Sequence, residues 1–168
     1  MQKIAPAVMA GLAAAGLGIG AWLLFAQPWT DGGGDPRAID PADAALVALG
    51  EEVYAADCAA CHGPDLGGEA NWRQRKPDGR LPAPPHDETG HTWHHPDPQL
   101  FALTKYGPQA LVGGGYESDM PAYEGVLSDR EIRAVLAYIK SRWPEEIRAR
   151  QAEITRRALE QIDAEGGG

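Results

Sequence analysis

Both cysteines of this 168-residue chain lie in one short motif, Cys58-Ala59-Ala60-Cys61-His62. Two cysteines are too few for a disulfide framework, and a four-cysteine zinc site would need a second pair. A thioredoxin-like pair is expected in a βαβ unit, whereas this motif follows a helical pattern. C-x-x-C-H is the attachment signature of c-type haem. The motif therefore predicts one haem c bonded to Cys58 and Cys61, with His62 as an iron ligand.

The composition is consistent with a fold built around such a cofactor. The chain contains 21 glycines and 14 prolines but few large apolar side chains, so it is short of core material for its length. A covalently held porphyrin would fill that gap. Acidic side chains outnumber basic ones by 24 to 15, a net charge of −9. This balance argues against a nucleic-acid partner, whose phosphates attract basic proteins.

The N-terminal region predicts a membrane anchor. Residues Ile4 to Phe25 are uncharged and mostly apolar, and as a helix they would span the roughly 30 Å hydrocarbon core of a bilayer. The run is longer than the apolar core of a usual signal peptide, and no convincing cleavage site follows it. We therefore expect residues 1–26 to be a retained anchor or uncleaved signal. Lys3 precedes the span and acidic residues follow it, which places the remainder on the periplasmic side of a bacterial inner membrane.

The rest of the chain divides by composition into a linker, a domain and a tail. Residues 27–39 are rich in glycine and proline and predict a flexible linker, 40–144 predict the haem domain, and 145–168 predict a charged helical tail that is solvated. The first helix is expected to be capped at Asp40-Pro41 and to run to about Asp57. A capping box at Ser128 opens the last helix of the domain, whose expected buried stripe is Ile132, Val135, Leu136 and Ile139.

A second iron ligand is expected from methionine. The thioether of methionine is a usual partner of histidine in cytochromes and raises the reduction potential. Met1 starts the chain and Met9 lies in the apolar span, which leaves Met120 in the segment Asp119-Met120-Pro121-Ala122-Tyr123. We therefore expect Met120 to ligate the iron on the face opposite His62.

From Asp40 to Pro144 the chain resembles the membrane-anchored class I (mono-haem) cytochromes c. The resemblance is carried by CAACHG, by DMPAY and by the terminal helix sequence LSDREIRAVLAYIKSRWP. It implies an all-α fold in which the first and last helices of the domain cross beside the haem. It also implies that the crossing contact is made by Gly50, Tyr54 and Tyr138. The Nδ1–H group of His62 is expected to bond a carbonyl between Pro82 and Pro85.

A histidine-rich loop departs from the usual family pattern. Four histidines occur within ten residues: His86, His91, His94 and His95. In the interpretation that we favour, they cover the haem edge as part of an ordinary loop; in another, they bind a second metal such as copper or zinc. In a third interpretation, one of them replaces Met120 as the iron ligand.

These features predict an electron carrier and not an enzyme. With both axial positions filled, the iron has no open site for a substrate, and one-electron transfer remains. The 9 basic and 15 acidic side chains between Pro41 and Pro144 favour protein redox partners with a basic or partly apolar docking face. One alternative is a fixed haem-bearing subunit of a membrane oxidoreductase complex. Another is a peroxide-binding enzyme, if the bond to Met120 is weak.

Overall fold

A computed structural model describes residues 37–167, and this part of the chain is helical and free of β-strands. Its elements are α1 (Ala44–Val53), a π-helical turn (Tyr54–Cys58), α2 (Ala59–His62), a 3-10 turn (Thr92–His94), α3 (Asp97–Tyr106), α4 (Pro108–Val112), α5 (Asp129–Ser141) and α6 (Glu145–Gly166). None of the helices in these residues is both long and apolar enough to cross a membrane. The expected anchor at 1–26 and most of the 27–39 linker lie outside the described residues.

The first helix begins three residues later than the Asp40-Pro41 signal predicts. The Asp43 carboxylate accepts hydrogen bonds of 3.0 Å from the N–H groups of Ala45 and Leu46 and so caps α1. Asp40 instead accepts from the N–H of Ala42 at 2.8 Å, in the turn ahead of the helix. Both aspartates suit a cap, and only the direction of the backbone decides which one faces the free N–H groups. The expected cap was therefore wrong.

A close crossing of α1 and α5 forms the centre of the fold. A Cβ atom built on Gly50 would lie 1.9 Å from the carbonyl oxygen of Ala134, so no larger residue fits at this contact. The rings of Tyr54 and Tyr138 meet beside it, with centroids 5.4 Å apart and planes tilted by 46°. The contact expected of Gly50, Tyr54 and Tyr138 is confirmed. It places the residues that lead into the cysteine motif directly against the last helix of the domain.

Helix α5 supplies half of the buried residues of the apolar core in the described part of the chain. The capping box is confirmed, because Ser128 Oγ accepts from the N–H of Glu131 and the Glu131 carboxylate accepts from the N–H of Ser128. The four expected stripe residues are all buried, along with Trp143 beyond the end of the helix. The capping box thus predicted the start of α5, and the amphipathic pattern predicted its buried face.

A buried ion pair joins α5 to three other parts of the fold. Lys140 Nζ lies 2.8 and 2.7 Å from the two carboxylate oxygens of Asp97 and donates to the carbonyl of Ile39 at 2.6 Å. Asp97 also accepts from the N–H of Ile39 at 2.7 Å and from Gln151 Nε2 at 2.8 Å. Burial lowers the pKa of Lys140, and the adjacent Asp97 carboxylate opposes that shift. One carboxylate therefore holds together α3, α5, α6 and the residues ahead of α1.

Helix α6 is packed against the domain. Gln151, Thr155 and Leu159 on this helix are buried, and Thr155 Oγ1 accepts the N–H of Asp97 at 3.0 Å. The helix was predicted correctly, but its interpretation as a solvated element was wrong. Polar side chains make much of its buried face, and hydrophobic periodicity does not detect a face of that kind.

Candidate functional site

The cysteine motif begins in the π-helical turn that follows α1. The N–H of Ala59 bonds the carbonyl of Tyr54, five residues earlier, and this wider turn lies immediately before α2. Cys58 is partly buried and Cys61 is exposed, and neither forms a disulfide. Burial raises the pKa of the Cys58 thiol to about 11. The free thiols of Cys58 and Cys61 therefore lie three residues apart in the chain, which is about one helical turn.

His62 ends α2 and is buried, with one ring nitrogen engaged. Its Nδ1 lies 2.9 Å from the carbonyl oxygen of Pro84, within the Pro82 to Pro85 stretch where this bond was expected. Because a carbonyl only accepts, Nδ1 carries the proton and Nε2 keeps its lone pair. Burial lowers the pKa of His62, although the Pro84 hydrogen bond opposes the shift. The ring is therefore held as the neutral tautomer that binds metals through Nε2.

The loop that supplies the Pro84 carbonyl is held by close backbone contacts. A Cβ atom on Gly90 would lie 2.0 Å from the carbonyl oxygen of Pro85, so the two backbones touch. The N–H of His86 donates to the carbonyl of Leu66 at 2.7 Å. Leu66 itself adopts a left-handed backbone conformation, with φ of 68°, which is uncommon for a leucine. These contacts position the partner of His62 at a fixed place.

The four histidines of the loop do not gather around a common point. The His86 ring stacks on His62, with centroids 4.0 Å apart and planes inclined by 21°. The others make different aromatic contacts: His91 stacks on Trp72 and meets His95 edge-on, and His94 stacks on Trp93. In the part of the chain that the structure describes, no group of three or more metal-binding side chains forms a site. The second-metal interpretation is therefore not supported.

The contact between His86 and His62 also limits which histidine could replace Met120. If His62 binds the iron, a ring that stacks on His62 would lie on the same side of the haem. Such a ring could bind the opposite face only by leaving that contact. His86 is therefore unsuited to be the second iron ligand, and the Thr92 hydroxyl, 2.8 Å from its Nδ1, holds it in the stacked position.

Met120 lies in the irregular segment between α4 and α5 and is partly buried. Its neighbour Asp119 bonds Arg80 Nη1 at 2.7 Å and Lys76 Nζ at 3.3 Å, in the loop that follows the motif. The hydroxyl of Tyr123, three residues after Met120, donates to the carbonyl of Asp57 at 2.7 Å. Asp57 directly precedes Cys58 in the chain. The segment is thus attached before Met120 to the loop that follows His62, and after Met120 to the π-helical turn that leads into the motif. No local pattern in the sequence indicates these attachments, because the partners are far apart along the chain.

The model of the cytochrome c family matches residues 47–143. The chain belongs to the cytochrome c family. The matched region begins within α1 and ends at Trp143, so it contains the helix crossing and the cysteine motif, while α6 lies outside it. No solved structure matches the chain.

Cytochromes c bind haem c covalently, and the side chains of this cytochrome c domain suit that cofactor. Cys58 and Cys61 are free thiols with the spacing of the attachment signature. His62 follows them directly, and because its Nδ1 bonds Pro84, Nε2 is the ring nitrogen that suits the donor set of a c-type haem. The domain is accordingly that of a haem-based electron carrier.

Proposed function

We propose that this cytochrome c is a one-electron carrier whose haem iron is bound by His62 and Met120. The observation that carries the proposal is the hydrogen bond from His62 Nδ1 to Pro84, made by the residue directly after the cysteine pair. That bond would leave Nε2 as the nitrogen that binds the iron and would increase its basicity. The haem supplies a reversible Fe(III)/Fe(II) couple. Cys58 and Cys61 would hold the porphyrin, and His62 and Met120 would bind its iron.

The attachments on both sides of Met120 support its role as the second ligand. Asp119 and Tyr123 attach its segment by hydrogen bonds to the two parts of the chain that flank the motif. Only a short stretch of backbone separates Met120 from either residue. A thioether is a weak iron ligand, and a loop held at both ends keeps it in place at low entropic cost. With both axial positions occupied, substrates are excluded from the metal and electron transfer remains.

The expected partner is a redox protein with a basic or partly apolar docking face. Acidic side chains dominate the domain, and they would speed the encounter with a basic surface. Several large apolar side chains are also exposed and support the partly apolar contact: Tyr106, Leu111, Val112 and Val126.

The simplest test of the carrier is a redox titration of the purified, haem-loaded protein. We expect a reversible one-electron transition and a single haem with two thioether bonds, seen in the spectrum of its alkaline pyridine complex. A Cys61→Ala variant is the matched control and should give the spectrum of a haem with one thioether bond. Rapid turnover of peroxide by the unaltered protein would instead indicate an enzyme with an open iron site.

We further propose that residues 1–26 anchor the carrier in a bacterial inner membrane, with the haem domain on the periplasmic side. The support is the uncharged apolar run from Ile4 to Phe25 and the charges that flank it. The residues 27–39 that follow would act as a tether and keep the haem at high effective concentration near membrane partners.

Cell fractionation tests the anchor. We expect the full chain to sediment with membranes, to resist extraction by salt and to be released by mild detergent, whereas a chain that starts at residue 37 stays soluble. A soluble full-length protein would contradict the anchor. Stoichiometric co-purification with other redox subunits in detergent would favour the fixed subunit over the free carrier.

A further inference from the structure

The ring of His86 lies against the face of the proposed axial ligand. The centroids of His86 and His62 are 4.0 Å apart and their planes are inclined by only 21°. The bond from His62 Nδ1 to Pro84 fixes the direction of one ring atom. Because a hydrogen bond tolerates bends of about 30° from linearity, this bond alone holds the plane of the ring only loosely. A flat side chain against the ring face limits that movement.

His86 is itself held at three places. Its N–H donates to the Leu66 carbonyl at 2.7 Å, and its own carbonyl accepts from Trp143 Nε1 at 2.7 Å. Its Nδ1 lies 2.8 Å from the Thr92 hydroxyl. Trp143 and Thr92 are both buried. A side chain restrained at its backbone and at its ring can transmit a fixed orientation to the group that it touches.

We propose that His86 is a positioning residue that sets the rotational orientation of the His62 imidazole about its bond to the haem iron. The inference rests on the proposed ligation of the iron by His62. It gives one histidine of the loop a role that needs no second metal. It also connects the end of α5 to the axial ligand, through Trp143 and then His86.

The orientation of an axial imidazole has a spectroscopic signature. The plane of the ring determines how the unpaired electron of ferric iron is distributed over the porphyrin. The hyperfine-shifted haem methyl signals in the proton NMR spectrum of the oxidised protein report that distribution. A side chain that only stabilises the fold would change the unfolding midpoint and leave this pattern unaltered.

Two substitutions at His86 and one matched control test the proposal in the haem-loaded protein. We expect His86→Ala to change the spread and order of the methyl signals, since the ring face is no longer supported. His86→Phe keeps a flat ring and should restore most of the original pattern. His94→Ala removes a histidine of the same loop that stacks on Trp93, and it should leave the pattern as it is.

The outcomes are separable. An unchanged methyl pattern in a loaded His86→Ala protein would overturn the proposal, and so would a His86→Phe pattern as altered as that of His86→Ala. If His86→Ala does not load haem, Thr92→Val removes the hydroxyl that is bonded to His86 and that also donates a longer, 3.5 Å bond to the Pro85 carbonyl. It should then produce a smaller change of pattern, and no change would overturn the proposal. Absence of a histidine-ligated ferric spectrum in the unaltered protein would instead refute the ligation by His62.

Discussion

Replacing Met120 by alanine is expected to abolish the weak far-red charge-transfer band of the oxidised protein and to lower its reduction potential. The thioether favours the reduced iron, so its loss removes that preference. The decrease should be a sizeable share of the roughly 0.8 V range that haem axial ligands span. Absorption spectra of the oxidised protein and a redox titration measure the two effects. The fold should persist, because the covalent haem and the α1–α5 crossing remain.

Val126→Ala is the matched control for this substitution. Val126 lies in the same irregular segment and is 66% exposed, so shortening its side chain should alter neither the band nor the potential. Met120→Ala should also increase peroxidase activity, because it opens an axial position. A far-red band that survives Met120→Ala would refute the ligand assignment. Peroxidase activity that was already high and hardly changed would favour the enzyme alternative.

Replacing Lys140 by methionine is expected to lower the free energy of unfolding by about 3 to 5 kcal/mol, the usual cost of leaving one member of a buried ion pair alone. The substitution keeps the length of the side chain, so the loss comes from the charge and its hydrogen bonds. Asp97 would keep the hydrogen bonds from Ile39 and Gln151 but would have no cation beside it. Chemical denaturation of the haem-loaded protein, followed by far-UV circular dichroism, measures the change.

A second lysine of the same protein provides the control. Lys105 pairs with Asp129 at 2.7 Å, the same separation as the Lys140–Asp97 pair. The side chain of Asp129 is 65% exposed, whereas that of Asp97 is 1% exposed. Lys105→Met should therefore cost only a small fraction of the loss expected for Lys140→Met, because water screens an exposed pair. Equal losses for the two variants would show that burial does not determine the contribution of the pair.

The elements that the sequence predicted well depend on neighbouring residues. The capping box at Ser128 and the stripe of α5 follow from spacings of three and four residues, so they can be recognised without the rest of the fold. The choice between Asp40 and Asp43 as the first cap depended on where the backbone turns, and both residues have the same chemistry. That choice needed the tertiary structure.

The packing of α6 was missed for a related reason. Its buried face includes Gln151 and Thr155, which bond each other and Asp97, and Gln151 also bonds the carbonyl of His95. Gln151 and Asp97 are 54 residues apart in the chain. Nothing in the local sequence indicates that they meet. The attachments of Asp119 and Tyr123 beside Met120 are hidden in the same way, since their partners lie 39 and 66 residues away.

The sequence by itself determined that this protein is a cytochrome c with one covalent haem. The attachment chemistry needs two thiols and an imidazole at fixed local spacing, and Cys58, Cys61 and His62 have that spacing in any conformation. The resemblance indicated only the Pro82 to Pro85 stretch as the partner of His62. The tertiary structure decided that the Pro84 carbonyl holds its edge and that the His86 ring covers its face. Both residues come from a loop more than 20 positions away. Folding alone brings them into contact with His62, because a hydrogen bond and a ring stack act only over a few ångströms.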